Sequence, residues 1–144
     1  MKDLGSFNIN ITIGNKQQVK AMLNLGVSIN LMPYSLYKQL ELGELKATRM
    51  SLQLADRSVK YPMGVVEDLL VQVDKLIVPV DFVVMDMENN FRSVEPVILL
   101  GRPFMATTKT IIDVHKGELS MNVLGETVQF SVSNALLLPS AAYI

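Results

Sequence analysis

The chain has no cysteine, no tryptophan and a single histidine among its 144 residues. Without cysteine, disulfides, cysteine-ligated zinc and thiol catalysis are excluded. One histidine leaves too few ligands for a zinc site of the usual kind, and neither a metal nor another cofactor is expected. The lack of disulfides is compatible with a reducing compartment, so a cytoplasmic or other intracellular location is expected. Charge is also scarce. Charged residues make up 19% and the formal net charge is −1. No basic run exists, which argues against nucleic acid or an anionic membrane surface as partner, because phosphate binding leans on clustered Lys and Arg. Long hydrophobic runs are missing too. The stretch 76–85 is interrupted by Pro79 and Asp81, and a spanning helix needs about 20 apolar residues. Met1–Gly5 carries no signal-peptide pattern.

What remains is an apolar chain, 49% hydrophobic with 6% aromatic residues. That balance is globular, and its core must be built mainly from Val, Ile, Leu and Met. The nine methionines read as core filler. The length fits one domain, 1–144, with a core over about 5–133 and an apolar tail at 134–144. Nothing in the composition splits it.

Most of the chain reads as strands. Phe7, Ile9, Ile11 and Ile13 alternate with Asn8, Asn10 and Thr12, a period of two. Gly14-Asn15 then marks a turn into a returning strand, Gln17–Leu23. Asn24–Asn30 is a Gly-containing break, and Pro33–Leu40 is expected to be a short helix with Leu36, Tyr37 and Leu40 on one face. Further strands are expected around Met50–Leu54, Val59–Tyr61, Val65–Val73, Leu76–Met85, Val97–Leu100, Thr110–Val114, Glu118–Val123 and Thr127–Val132. A second short helix is expected at Pro103–Thr108, and Met87–Pro96 as a loop. Many short strands with turns every 8–12 residues predict an all-β closed barrel or sandwich.

One segment carries chemistry. Met22-Leu23-Asn24-Leu25-Gly26-Val27-Ser28 runs from an apolar strand into a tight loop and so presents a polar side chain at the end of a buried strand. Val97–Leu100 followed by Gly101-Arg102-Pro103-Phe104 is a second apolar strand, glycine and short helix. With residues 24–33 reading N-L-G-V-S-I-N-L-M-P, the sequence resembles the retropepsin-like aspartic protease domains of plant gypsy-type LTR retrotransposons, which carry D-L-G-A-S-[IV]-N-L-[ML]-P. L-A-D-R-S-V-K-Y-P-M-G (Leu54–Gly64), P-V-D-F-V-V-M-D-M (Pro79–Met87), I-L-L-G-R-P-F-M-A-T (Ile98–Thr107), I-D-V-H-K-G-E-L (Ile112–Leu119) and V-Q-F-S-V (Val128–Val132) extend the likeness over about 5–133.

The resemblance implies a retropepsin-like barrel with one or two short helices, forming one half of a homodimer. In that family two loops meet at the dimer axis and make one active site, which processes a polyprotein. The chain holds only one such loop and no internal repeat, so a two-carboxylate mechanism would need a second copy. The resemblance assigns the catalytic segment to Asn24, Leu25, Gly26, Val27 and Ser28, and a flap over the bound peptide to Ala55, Asp56, Arg57 and Ser58. Gly101 and Arg102 take structural support, with Arg102 bracing the loop and dimer through charged hydrogen bonds. Gly26 and Gly101 are expected where backbones approach closely.

Asn24 departs from the pattern, standing where the family has its aspartate. An amide accepts no proton at working pH, so a homodimer of this chain would lack a general base. Several explanations compete: a replacement introduced into an active parent, decay of a transposon copy, conversion into a non-catalytic peptide-binding or dimerisation module, or activity carried by some other residue. Leu25 lies where pepsin-like relatives have Thr or Ser, so packing there should be apolar. Val27 replaces the usual Ala. Ser28 reads either as a residue bonding the outer carboxyl oxygen or as an ordinary turn serine. His115 belongs to the His115-Lys116-Gly117 turn, and its pairing with Ser28 lacks the elbow such nucleophiles sit on. Asp113 has no x-Gly partner and is read as a strand residue.

Overall fold

A computed structural model describes residues 6–14, 17–53, 56–87 and 96–131. The Asn15 half of the first turn, Ala55 of the flap, most of the 87–96 loop and the 134–144 tail lie outside those residues. The elements in chain order are β1 (Ser6–Ile13), β2 (Gln17–Asn24), β3 (Leu31–Pro33), α1 (Tyr34–Leu40), β4 (Leu52–Gln53), β5 (Val59–Lys60), β6 (Gly64–Val73) and β7 (Leu76–Met85). They are followed by β8 (Ile98–Leu100), α2 (Arg102–Thr107), β9 (Ile111–Asp113), β10 (Glu118–Val123) and β11 (Glu126–Ser131).

Alternation sets which face each strand buries. Phe7, Ile9, Ile11 and Ile13 of β1 point into the core, and Asn8 and Asn10 point out. β1 pairs antiparallel with β2 from Ser6 opposite Asn24 to Ile13 opposite Gln17. β6 and β7 make a second long hairpin turning at Asp74, whose φ of 55° suits a tight reversal. A bulge between Val66 and Leu69 bends β6. It is fixed by Asp68, at φ 56°, whose N–H donates to the Asp81 carboxylate at 2.8 Å.

Six strands close into a barrel in the order β1-β2-β8-β3-β7-β6, and β1 completes it against β6. This confirms the expected all-β barrel with two short helices. Phe82, Phe104, Ile11, Ile13, Leu23, Leu31, Met32, Ile98 and Leu100 are fully enclosed. Burying each such side chain contributes roughly 1.5–3 kcal/mol against leaving it in water. α1 closes one side of the barrel with Leu36 and Leu40. The strands β9, β10 and β11 form a separate three-stranded sheet, and β4 and β5 a two-stranded hairpin.

Several boundaries differ from expectation. Pro33 ends β3 in an extended conformation, so α1 starts at Tyr34. Leu31, Met32 and Pro33 are all buried, and that unbroken burial hides a strand from a search for alternation. α2 begins one residue early at Arg102, with Pro103 in its first turn where a missing N–H costs nothing. Of the strand expected over Met50–Leu54, Leu52–Gln53 is formed, Met50 and Ser51 lie outside it, and Leu54 is not among the described residues. Asn24 is the last residue of β2 and not part of the break after it. Met32, Met85, Met105 and Met121 fill the core as expected, whereas Met50, Met63 and Met87 are exposed.

Candidate active site

The site grows from one topological feature. β2 and β3 follow each other in sequence but do not pair. β8 lies between them, parallel to β2 through Ala21–Ile98, Met22–Leu99 and Leu23–Leu100, and antiparallel to β3 at Leu31–Leu99. The 24–30 loop must therefore cross over the end of β8. It does so at Gly101, where an added Cβ would lie 2.3 Å from the Ile29 carbonyl oxygen and 2.6 Å from that of Val27. Only a residue without a side chain fits under the loop. The expected close approach is met at Gly101.

Asn24 is buried, 6% exposed, at the end of β2. Its Oδ1 accepts the Gly26 N–H at 2.8 Å, and its main-chain oxygen accepts the Val27 N–H at 3.3 Å. The local fold is thus an Asx turn, which Asn and Asp form equally well. The Asn24 Nδ2 has no hydrogen-bond partner among the described residues. Beside it Leu25 is 41% exposed, whereas Val27 is completely buried. Ser28 is exposed in the bend that follows. The loop carries no titratable side chain.

Asp56, Arg57 and Ser58, expected to form a flap, occupy the exposed tip of the β4–β5 hairpin. One Asp56 carboxylate oxygen accepts both the Ser58 N–H at 2.9 Å and the Ser58 hydroxyl at 2.6 Å. Those bonds, the hydroxyl first, hold the Asp56 pKa below its usual value. Arg57 takes a positive φ of 73° to complete the turn. At the hairpin base Leu52 is buried with Leu31, Val83 and Met85, and Ile29, Val65 and Leu99 pack around them. That small cluster joins the hairpin to the loop. Met50, Val59, Tyr61 and Met63 leave apolar surface open around the hairpin, Tyr61 at 74% exposure.

Arg102 meets the loop through its main chain. Its main-chain N–H donates to the Val27 oxygen at 2.9 Å. Its side chain is exposed and makes no hydrogen bond or ion pair among the described residues. His115 is exposed in its turn, and the Asp113 carboxylate accepts the Lys116 N–H of the same turn at 3.1 Å. Both belong to the three-stranded sheet and not to the loop. Asn30 is the residue that sequence reasoning passed over. It is buried, and its Oδ1 accepts the Gly101 N–H at 2.9 Å. The available signal was a polar residue set between Ile29 and the apolar Leu31-Met32. No group of three or more His, Asp or Glu residues among those described is placed to hold a metal.

Barrel, interposed β8, crossing loop and the hairpin packed at its base on Leu31 and Val83 together make up the retropepsin-like fold. The retroviral protease-like domain of Ddi1 from Leishmania major shares it, with a TM-score of 0.59, 16% identity, and coverage of 84% of this chain and 88% of that one. The sequence profile of the aspartyl protease family matches residues 9–104, which span β1 to α2 and include the whole loop. The chain therefore belongs to the aspartyl protease family, as a retropepsin-like domain. A comparison with the sequences of curated proteins finds no match.

Proposed function

We propose that this chain is the protease domain of a plant gypsy-type LTR retrotransposon polyprotein, acting inside the cell as a homodimer on extended peptide. We further propose that it is silent in this form because Asn24 occupies the place of the reactive aspartate. The observation that carries the reading is Asn24 itself. It is a buried polar side chain at the end of β2, fixed by the Gly26 N–H, next to an exposed leucine on an uncharged loop. A twofold axis through that loop would bring two such side chains together and cover both copies of Leu25 with apolar contact. That the Asn24 Nδ2 meets no partner among the described residues also favours a second copy, because an unmet buried donor is costly.

With aspartate at position 24 the chemistry follows from crowding. Two carboxylates about 3 Å apart cannot both ionise and share a proton. One takes a proton from water as it attacks the peptide carbonyl. The protonated partner polarises that carbonyl and then protonates the leaving amine. An amide keeps the hydrogen bond to Gly26 but takes up no proton. Loss of one acid–base group costs roughly 10²–10⁴-fold, and in a homodimer both are lost.

The test is cleavage of a polyprotein-derived peptide library by the chain and by Asn24→Asp, at about pH 4–7 where a shared-proton pair can work, with and without a statine-type inhibitor. Cleavage by Asn24→Asp alone, stopped by the inhibitor, is the expected result. A second reading, a peptide-binding or dimerisation module without chemistry, draws on the same turn. Asn24 preserves the loop geometry while removing the reaction. Silence of both forms, with dimerisation intact, would replace the first reading by the second.

A further inference from the structure

We infer that Asn30 is a positioning residue whose carboxamide clasps the 24–30 loop to the β8–α2 junction and thereby sets where residue 24 stands. This rests on the protease reading for its catalytic consequence, but the clasp is a property of the fold. Three bonds converge on Asn30. Its Oδ1 accepts the Gly101 N–H at 2.9 Å, its Nδ2 donates to the Asp81 oxygen at 3.3 Å, and its main-chain oxygen accepts the Val83 N–H at 2.9 Å. One residue thus ties the loop to the end of β8 and to β7. The neighbouring N–H, that of Arg102, goes to the Val27 oxygen at 2.9 Å. The loop therefore takes two consecutive N–H groups of the junction, one through a side chain and one through the main chain.

Between those two grips the loop lies directly on Gly101, with the Val27 and Ile29 carbonyls facing it. There is no slack between Val27 and Asn30. On the other side Val27 is bonded to the Asn24 oxygen at 3.3 Å, and Asn24 continues β2. Residue 24 is held between a strand and a clamp. A carboxamide suits the clamp because it offers an acceptor and a donor from one planar group without charge. A carboxylate keeps the acceptor but turns an oxygen toward the Asp81 carbonyl. A methyl group leaves the buried Gly101 N–H with no acceptor.

Two measurements test the clasp. In the parent chain, Asn30→Ala should speed amide hydrogen exchange at both Gly101 and Val27 by about tenfold or more. The Val71 and Val78 amides of the β6–β7 hairpin should keep their rates. Faster exchange at Gly101 alone, or a uniform rise that includes Val71, overturns the inference. If Asn30→Ala does not fold, Asn30→Asp serves in its place, with the ratio of its Val27 exchange rate to that of the unaltered chain at the same pH expected to rise as the new carboxyl ionises. The second measurement adds Asn30→Asp to Asn24→Asp. Turnover should drop about tenfold or more at neutral pH with KM little changed, because small displacements of a reacting group are costly. It should recover on acidification relative to Asn24→Asp alone, since a protonated carboxyl again both donates and accepts. An unchanged pH profile and unchanged turnover per folded molecule would mark Asn30 as merely structural. Should Asn24→Asp itself be silent, the protease reading fails, and the exchange experiment still decides the clasp.

Discussion

A methyl group at position 101 would press against two carbonyl oxygens of the main chain, and neither belongs to a flexible side-chain end. Gly101→Ala must therefore push the loop off β8. The expected cost is about 3 kcal/mol, the upper end for an overpacked site, read as a lowered denaturant midpoint. Peptide binding should fail with it, because the displaced loop carries residue 24. Asn24→Asp behaves differently. Either side chain accepts the Gly26 N–H in the same turn, so stability of the single chain should change little while cleavage appears. Comparing the two separates a residue that supports the loop from one that would react.

At the scale of elements, the β4–β5 hairpin is the part whose behaviour should follow pH. The Asp56 carboxylate is stabilised in the folded tip by the Ser58 hydroxyl and N–H, which lowers its pKa. The folded tip therefore binds the proton less readily than the unfolded chain does. Its contribution is complete above the ordinary aspartate range and is lost as pH falls through the lowered value. A pH titration followed by the Ser58 amide resonance should show the turn loosening on the acid side, and Asp56→Ala should abolish that dependence. The hairpin was legible in sequence from its polar turn between apolar residues, as were β1, β2, β6, β7 and β10 from alternation and turn residues. β3 was not, because three consecutive buried residues carry no period. Nor was the insertion of β8 between β2 and β3. Pairing between distant strands leaves no local mark, and without it neither the crowding at Gly101 nor the clasp of Asn30 has a reason to exist. The loop motif draws attention to Asn24 but could not say what holds it. Arg102 illustrates the same gap, since its residue type says nothing of the N–H it gives to the Val27 oxygen.

For the whole molecule, the open apolar surface at the loop and around the hairpin is where the association required by the proposed function would form. Leu25 is half exposed in the single chain, so Leu25→Lys should leave the fold nearly untouched, within about 0.5 kcal/mol. It should weaken self-association on the order of 100-fold, since two like charges would meet across the axis. Sedimentation across a concentration series reads the association, and thermal unfolding of the variant at low concentration reads the fold. Interposing β8 between β2 and β3 also has a consequence in time. Asn30 and Gly101 are 71 residues apart, which a ribosome working at 5–20 residues per second needs about 4–14 s to bridge. Throughout that interval the first hairpin can pair, but the loop has nothing to rest on. Whatever residue 24 does in the finished protein, the nascent chain cannot do it until synthesis has passed Gly101.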